Sequence, residues 1–330
     1  MLFEKNTFPK YMTLDISSTC NLNCIICSLK KYYKNKSIMP EQVFKEITPI
    51  IPKLDYIDLN CNAEPLMNKN LLSYLKQIKS ISPKTKVGFP TNGTLLNERI
   101  IKELILNDLD IIRFSIDGST KETFESIRKT ADFDKLIHNI KLFNQLKKKF
   151  HRNNPQITIV FLAMKKNVKE LPLIIDLAEK LKISEVAVLG LEPYSKLMSK
   201  EILYGNSESK KFFDLAMKKA LSKNIHLQLP VLNSYMNQSC IFKDMFFITV
   251  EGDVVPCPLL SYDREFYYFG KKFLHKKKIF GNILNKNLES IWNSKKYKHF
   301  RKLLSKKKFP KSCKHCLMKE GLIVPFDESI

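Results

Sequence analysis

The chain has 330 residues, 44% of them apolar, which is enough for one large and one small domain with a sizeable core. Its net charge is +23, and most of that charge is lysine. No run of about 18 apolar residues appears, and the N-terminus MLFEKNTFPKYM carries an early acid, Glu4, and no apolar stretch of signal-peptide type, so a membrane helix is not expected and the protein is placed in the cytoplasm.

In chain order, Tyr11–Ser17 alternates as a strand, and Pro40 opens a helix reaching about Ile50. Leu54–Asn60 is the second strand and Leu71–Ile81 a helix. Lys84–Phe89 is a third strand that ends in the turn Pro90-Thr91-Asn92-Gly93. Leu95–Asn107 is helical, and Asp110–Ile116 is a strand ending at Asp117-Gly118. Helices at Lys121–Lys129 and Phe133–Phe150 precede the strand Gln156–Ala163. Then come a helix at Val168–Leu181 and a sixth strand at Glu185–Leu189. Strands alternating with helices predict βαβ units and a parallel sheet. Six units predict an α/β fold, a partial (β/α)6 barrel, with sites at the carboxyl ends of its strands.

After Gly190 the pattern changes. Ser207–Lys223 is one helix, and from about Cys240 the chain is punctuated by Gly, Pro, Cys and aromatics. The expected division is a core at residues 1–205, a helical linker at 206–235 and a small cluster-binding domain at 236–330, ordered by a metal site. Between Leu260 and Glu320, 16 Lys and two Arg (Arg264, Arg301) stand against four acids (Asp263, Glu265, Glu289, Glu320). Such a stretch attracts nucleic acid or acidic partners. Arginine is scarce and aromatics are not interleaved, so the reading is a solvated lysine surface, with nucleic acid not an expected partner.

Eight cysteines occur, at 20, 24, 27, 61, 240, 257, 313 and 316. Clustered cysteines in a cytosolic chain point to metal or catalysis rather than disulfides. Cys20, Cys24 and Cys27 follow the first strand with C-x3-C-x2-C spacing. Three thiolates can hold three irons of a cubane cluster and leave the fourth open. A structural zinc site takes four protein ligands, and no fourth Cys or His lies nearby. The run CNLNCIIC resembles the three-cysteine loop of the radical S-adenosylmethionine (SAM) superfamily. The resemblance covers nearly the whole chain. It implies that SAM chelates the open iron and that an electron from the cluster breaks a C–S bond, giving a 5′-deoxyadenosyl radical that abstracts a substrate hydrogen.

Other features resemble the family in the expected order. Asn62-Ala63-Glu64-Pro65, at the end of the second strand, is similar to its Gly-Gly-Glu-Pro motif, which meets the SAM amino group. Glu64 can accept hydrogen bonds from an ammonium. Asn62 and Ala63 replace glycines, which puts any positive-φ requirement there in doubt. Thr91-Asn92-Gly93 and Ser115-Ile116-Asp117-Gly118 end the third and fourth strands, and Ser115 and Asp117 share one face. The resemblance implies SAM contacts at Ala63, Glu64, Asn92, Ser115, Asp117 and Arg128. Asp15 and Ser17 also share a face, with a structural role expected. Cys61 reads as a small core residue.

Cys240, Cys257, Cys313 and Cys316 form a second group, with Gly252 marking a hairpin between FFITV and VVPC. Four thiolates suit a fully ligated four-iron cluster or tetrahedral zinc equally. The spacing resembles the auxiliary-cluster module called SPASM, or its shorter twitch form. This implies one auxiliary 4Fe-4S cluster, with His315 a bystander. It also implies a reductant such as flavodoxin or ferredoxin, and oxidation of a small molecule of sugar or aminocyclitol type with the auxiliary cluster as electron acceptor. The cluster loop begins at Cys20, leaving no room for a leader-binding domain, which favours a small molecule or a peptide presented by another protein. Alternatives are peptide or protein maturation, RNA modification, and a non-catalytic metal-binding module. Molybdenum-cofactor synthesis is disfavoured by the ending PFDESI. No acid or base is assigned; Glu192, His226, Asp244 and Asp253 read as structural.

Overall fold

The computed structural model describes residues 8–33, 36–232, 240–268 and 270–317. Seven strands run parallel in sequence order: β1 Tyr11–Leu14, β2 Tyr56–Leu59, β3 Lys86–Thr91, β4 Ile111–Ser115, β5 Gln156–Ala163, β6 Glu185–Gly190 and β7 His226–Gln228. Helices between them cover the sheet. Helix Glu98–Leu106 buries Ile101, Leu104 and Ile105, and its cap Asn97 accepts the Ile100 N–H. The α/β class, with its parallel βαβ order, is as expected. The strand β7 is additional. It is three residues long, too short to show a period in sequence.

The helix expected from Pro40 to Ile50 is split into an α-helix at Glu41–Lys45 and a 3₁₀ segment at Thr48–Lys53. Pro49 has no N–H to give the Lys45 carbonyl, so the α-helix stops there. Strand β3 runs to Thr91 rather than Phe89, with Pro90 inside it opposite Arg113.

Part of the C-terminal region joins the main sheet. Strand β8 (Met245–Ile248) pairs in parallel with β1, from Tyr11↔Met245 to Leu14↔Ile248. Strand β9 (Asp253–Val255) turns back through Gly252 (φ 84°) as the expected hairpin. A separate hairpin joins β10 (Arg264–Tyr268) to β11 (Lys271–His275), and β12 (Gly281–Asn282) pairs with β9. The result is one ten-stranded sheet, β12-β9-β8-β1-β2-β3-β4-β5-β6-β7. Phe246 of β8 meets Trp292 edge-on at 4.9 Å, tying the C-terminal helices to this sheet. Among the described residues no helix is long and apolar enough to cross a membrane. The ending PFDESI lies outside the described residues.

A buried polar layer crosses the middle of the parallel strands. Arg113 donates to the Tyr56 hydroxyl at 2.7 Å and to Asp58 at 2.6 Å. Gly88 lies between them: a Cβ there would stand 2.4 Å from the Tyr56 hydroxyl and 3.1 Å from the Ile111 carbonyl. The glycine makes room for the Tyr56–Arg113 contact.

Candidate active site

The loops after β1, β2, β3 and β4 converge on a cavity of about 240 Å³. Cys20, Cys24 and Cys27 line it together with Ala63, Glu64, Asn92, Ser115 and Arg128. Five of the six sequence-predicted contact residues therefore share one cavity with the three thiols. The sixth, Asp117, is fully buried behind Arg128.

The thiol loop is held from several sides. Asn23 and Ile25 donate their N–H groups to the carbonyls of Lys129 and Ile127. The Leu22 and Leu29 N–H groups point at the sulfurs of Cys20 and Cys27, each at 3.4 Å. Asn92 donates through Nδ2 to Asn21 at 3.0 Å and lies 3.8 Å from the Cys20 sulfur, while its Oδ1 accepts from the Thr94 N–H and hydroxyl. The Asn92 side chain thus serves the thiol loop.

Glu64 is 2% exposed. Its carboxylate accepts from the Thr91 hydroxyl (2.7 Å), the Asn92 N–H (2.8 Å) and the Leu66 N–H (3.2 Å), and its own N–H donates to the Thr19 carbonyl. It therefore clamps the loops after β1, β2 and β3 together. Burial pushes its carboxyl up to about 7, against these three donors. A cation entering the cavity would favour the ionised form. Asn62 and Ala63 lie outside the left-handed region, and the positive φ of this loop falls on Asn60 (103°), whose Oδ1 accepts the Ser17 N–H. The glycine replacements carry no backbone strain.

Asp117 and Arg128 meet at 2.7 Å as a buried ion pair, although the Nε–H is not aimed for a well-formed hydrogen bond. Asp117 also accepts the Leu162 N–H at 2.8 Å. Asp117 thus positions Arg128, and Arg128 faces the cavity. Ser115 is half-buried and lines the same cavity.

Cys61 corrects the sequence expectation. It is not a core residue; it is exposed and lines the cavity beside Asn62. Its surface opens on the cavity while protein surrounds it elsewhere, and this burial, with the Asp15 and Asp58 carboxylates, pushes its thiol well up. Its position just before the Asn62–Pro65 motif was the signal that would have found it. Asp15 takes the expected structural role, accepting the Cys61 N–H and the Asn62 amide, each at 2.8 Å. Glu192, Asp253 and Asp244 are ion-paired with Arg264, Lys277 and Lys243, and His226 opens β7 at the sheet edge.

The second cysteine group also converges. Cys257 is buried, and its thiol is raised first by burial and then by its neighbours Cys240, Cys316 and Cys313. All four pack at the edge of the main core. His315 lies against the Phe273 ring at 4.3 Å.

Among the described residues no three His, Cys, Asp or Glu side chains are drawn closely enough to hold a single metal ion. Burial pushes the Cys24 and Cys240 thiols up to about 11, and a positive group sharing the site would bring them down. Donor sets of three and four sulfurs, with N–H groups aimed at them, fit iron–sulfur clusters.

The family model described as the radical SAM superfamily matches residues 14–178. The chain belongs to the radical SAM superfamily. A second model, an iron–sulfur cluster-binding domain named SPASM, matches residues 240–317. The protein is thus a radical SAM enzyme with a SPASM domain, and these domains imply a 4Fe-4S cluster, an auxiliary cluster and a reductant. A relative from Pyrococcus furiosus, the tungsten-containing aldehyde ferredoxin oxidoreductase cofactor-modifying protein, is 25% identical over 94% of this chain and 88% of its own length. In fold the chain is similar to Streptococcus suis SuiB bound to S-adenosylmethionine (TM-score 0.70, 16% identity, 95% of this chain and 72% of that one). It is also similar to native anSMEcpe with bound AdoMet and Cp18Cys peptide (TM-score 0.65, 19% identity, 95% and 88%).

Proposed function

We propose that this radical SAM enzyme is a maturase, acting on a peptide or a protein-borne group and withdrawing two electrons from it. The observation that carries the catalytic part is the convergence of Cys20, Cys24 and Cys27 with Glu64, Asn92, Ser115 and Arg128 on one cavity at the strands' carboxyl ends. Cys20, Cys24 and Cys27 would hold the first cluster, and Cys240, Cys257, Cys313 and Cys316 the auxiliary one. When bound, the first cluster supplies the electron that splits SAM into methionine and a 5′-deoxyadenosyl radical.

The protein's own groups bind and orient. The Glu64 carboxylate and the Ala63 backbone line the cavity and would meet the SAM ammonium. Arg128, steadied by Asp117, offers a carboxylate partner, and the Ser115 hydroxyl a ribose or carboxylate contact. Asn92 fixes the thiol loop. A four-cysteine set would leave no iron of an auxiliary cluster open, which suits electron acceptance rather than substrate binding.

Maturation is supported by the relative named as a cofactor-modifying protein, aligned over nearly the whole chain, and by the peptide-bound state of anSMEcpe. The test uses reconstituted protein with SAM and reductant. Lysate of the source organism is split by ultrafiltration, and each fraction is assayed for stimulated 5′-deoxyadenosine formation. Stimulation by the macromolecular fraction supports maturation. Stimulation by the low-mass fraction alone replaces it with a small alcohol of sugar or aminocyclitol type. Flavodoxin and ferredoxin are the proposed reductants.

A further inference from the structure

Residues 290–317 carry nine Lys and one Arg and no acid; all 33 acids of the chain lie elsewhere. Most of this charge stands on helix Lys295–Ser305 and the residues just after it. The helix turns Tyr297, Phe300 and Leu304 into the core and leaves Lys295, Lys296 and Lys302 exposed, with Lys306, Lys307 and Lys308 exposed beyond its end. None of these six is ion-paired among the described residues. Asp244, on the turn packed against the helix, pairs with Lys243, and Glu289, before it in sequence, pairs with Lys53. Six like charges repel one another, and no acid of the chain offsets them, so the face complements an acidic surface.

The face lies beside the second cysteine group. The helix packs on the turn Ile241–Asp244 that follows Cys240, and the chain leaving it forms the turn Lys311–Cys313. Of the four cysteines only Cys257 is buried; Cys240, Cys313 and Cys316 are half-buried. A cluster held by them would therefore come close to the surface. The chemistry of the face also separates a protein partner from RNA. Its one arginine is committed, with the Arg301 guanidinium 3.4 Å from the Trp292 ring centroid and donating to the Trp292 carbonyl at 2.8 Å. Trp292, Tyr297 and Phe300 are buried and offer no ring for a base to stack on. Lysine point charges without guanidinium forks suit a carboxylate-rich protein, and contacts between redox proteins are small.

We propose that the lysine face of helix Lys295–Ser305 docks an acidic one-electron carrier protein, which takes the electron from the auxiliary cluster. This rests on the reading that Cys240, Cys257, Cys313 and Cys316 hold a cluster. The substrate loses a hydrogen atom to the 5′-deoxyadenosyl radical, then a proton to solvent and an electron to the auxiliary cluster. That cluster returns to its oxidised state by giving one electron to the oxidised carrier, with no bond made or broken. The carrier thereby regains the electron spent on cleaving SAM.

The probe is oxidised flavodoxin, an acidic carrier, with the reconstituted holoprotein. Three chains are compared with iron counted in each: the native one, Lys295→Glu/Lys302→Glu/Lys306→Glu, and a control of equal charge change, Lys102→Glu/Lys135→Glu/Lys141→Glu, on the helices Glu98–Leu106 and Phe133–Lys149. Calorimetry is expected to show native binding that weakens with salt, a loss of about tenfold or more in the first variant, and a loss of less than about threefold in the control. Mixing reduced holoprotein with oxidised flavodoxin is expected to remove the auxiliary cluster's paramagnetic signal and reduce the flavin, about tenfold or more slowly in the first variant at subsaturating flavodoxin. Equal affinities in the two variants overturn the proposal. So does transfer RNA that binds the native chain tightly, displaces flavodoxin and is lost in the first variant, which assigns the face to nucleic acid. A native protein with one cluster's worth of iron overturns the underlying reading instead, and the iron count distinguishes that failure.

Discussion

Asp15 offers a prediction whose size follows from the structure. It is 3% exposed, accepts two hydrogen bonds from the Cys61–Asn62 segment, and takes part in no ion pair among the described residues. The nearby cation, Arg113, is committed to Asp58. Burial raises the Asp15 carboxyl from 3.8 to about 6. The folded pKa lies above the unfolded one, so the native state holds a proton that the unfolded chain has lost. The stability this contributes is fully present below about pH 4 and is lost as pH rises through about 6. A difference of about two units corresponds to about 3 kcal/mol. Asp15→Asn keeps the shape and removes the charge. Its oxygen accepts the Cys61 N–H, and Asn62 rotates its amide to accept the new NH₂. The variant is expected to be more stable than the native protein by up to about 3 kcal/mol at about pH 8, with the gain vanishing near pH 4. Denaturant midpoints across that range measure it. A stability difference that does not change with pH would refute the reasoning, since burial of the charge would then not be its source.

Gly88→Ala is expected to lower stability by about 1–3 kcal/mol, because its Cβ meets the Tyr56 hydroxyl and the rigid Ile111 carbonyl; thermal unfolding reports this. Glu64→Gln leaves one of the Thr91 and Asn92 donors unpaired and removes the charge facing an ammonium. SAM affinity, read by calorimetry, is expected to fall about tenfold or more, the worth of one charge-assisted hydrogen bond. Cys257→Ser is expected to lose the auxiliary cluster's iron while still forming 5′-deoxyadenosine, with substrate oxidation abolished; iron counts and product analysis separate the two.

The sheet order and the cavity were legible because each unusual loop follows an apolar strand, and parallel α/β topology sends those loops to one end. CNLNCIIC, Glu64, Asn92 and Ser115 needed only that rule to be brought together. Asp117 was read as sharing a face with Ser115, but its buried pairing with Arg128 depends on where helix Lys121–Ile127 ends, which spacing does not reveal. Cys61 was misread because a lone cysteine carries no period, and its exposure comes from a cavity made by other loops. The parallel pairing of β8 with β1 joins residues more than 200 positions apart. Nothing local in YMTL or MFFI encodes that choice of partner.

The central claim is that Cys20, Cys24 and Cys27 support reductive cleavage of SAM. The direct measurement is 5′-deoxyadenosine formed by protein reconstituted without oxygen, given SAM and a strong reductant, beside a variant with all three cysteines changed to Ala. Product is expected from the native chain and none from the variant, with the auxiliary cluster's iron retained in both. Iron-loaded native protein that forms no 5′-deoxyadenosine, or a triple variant that forms as much as the native chain, would contradict it.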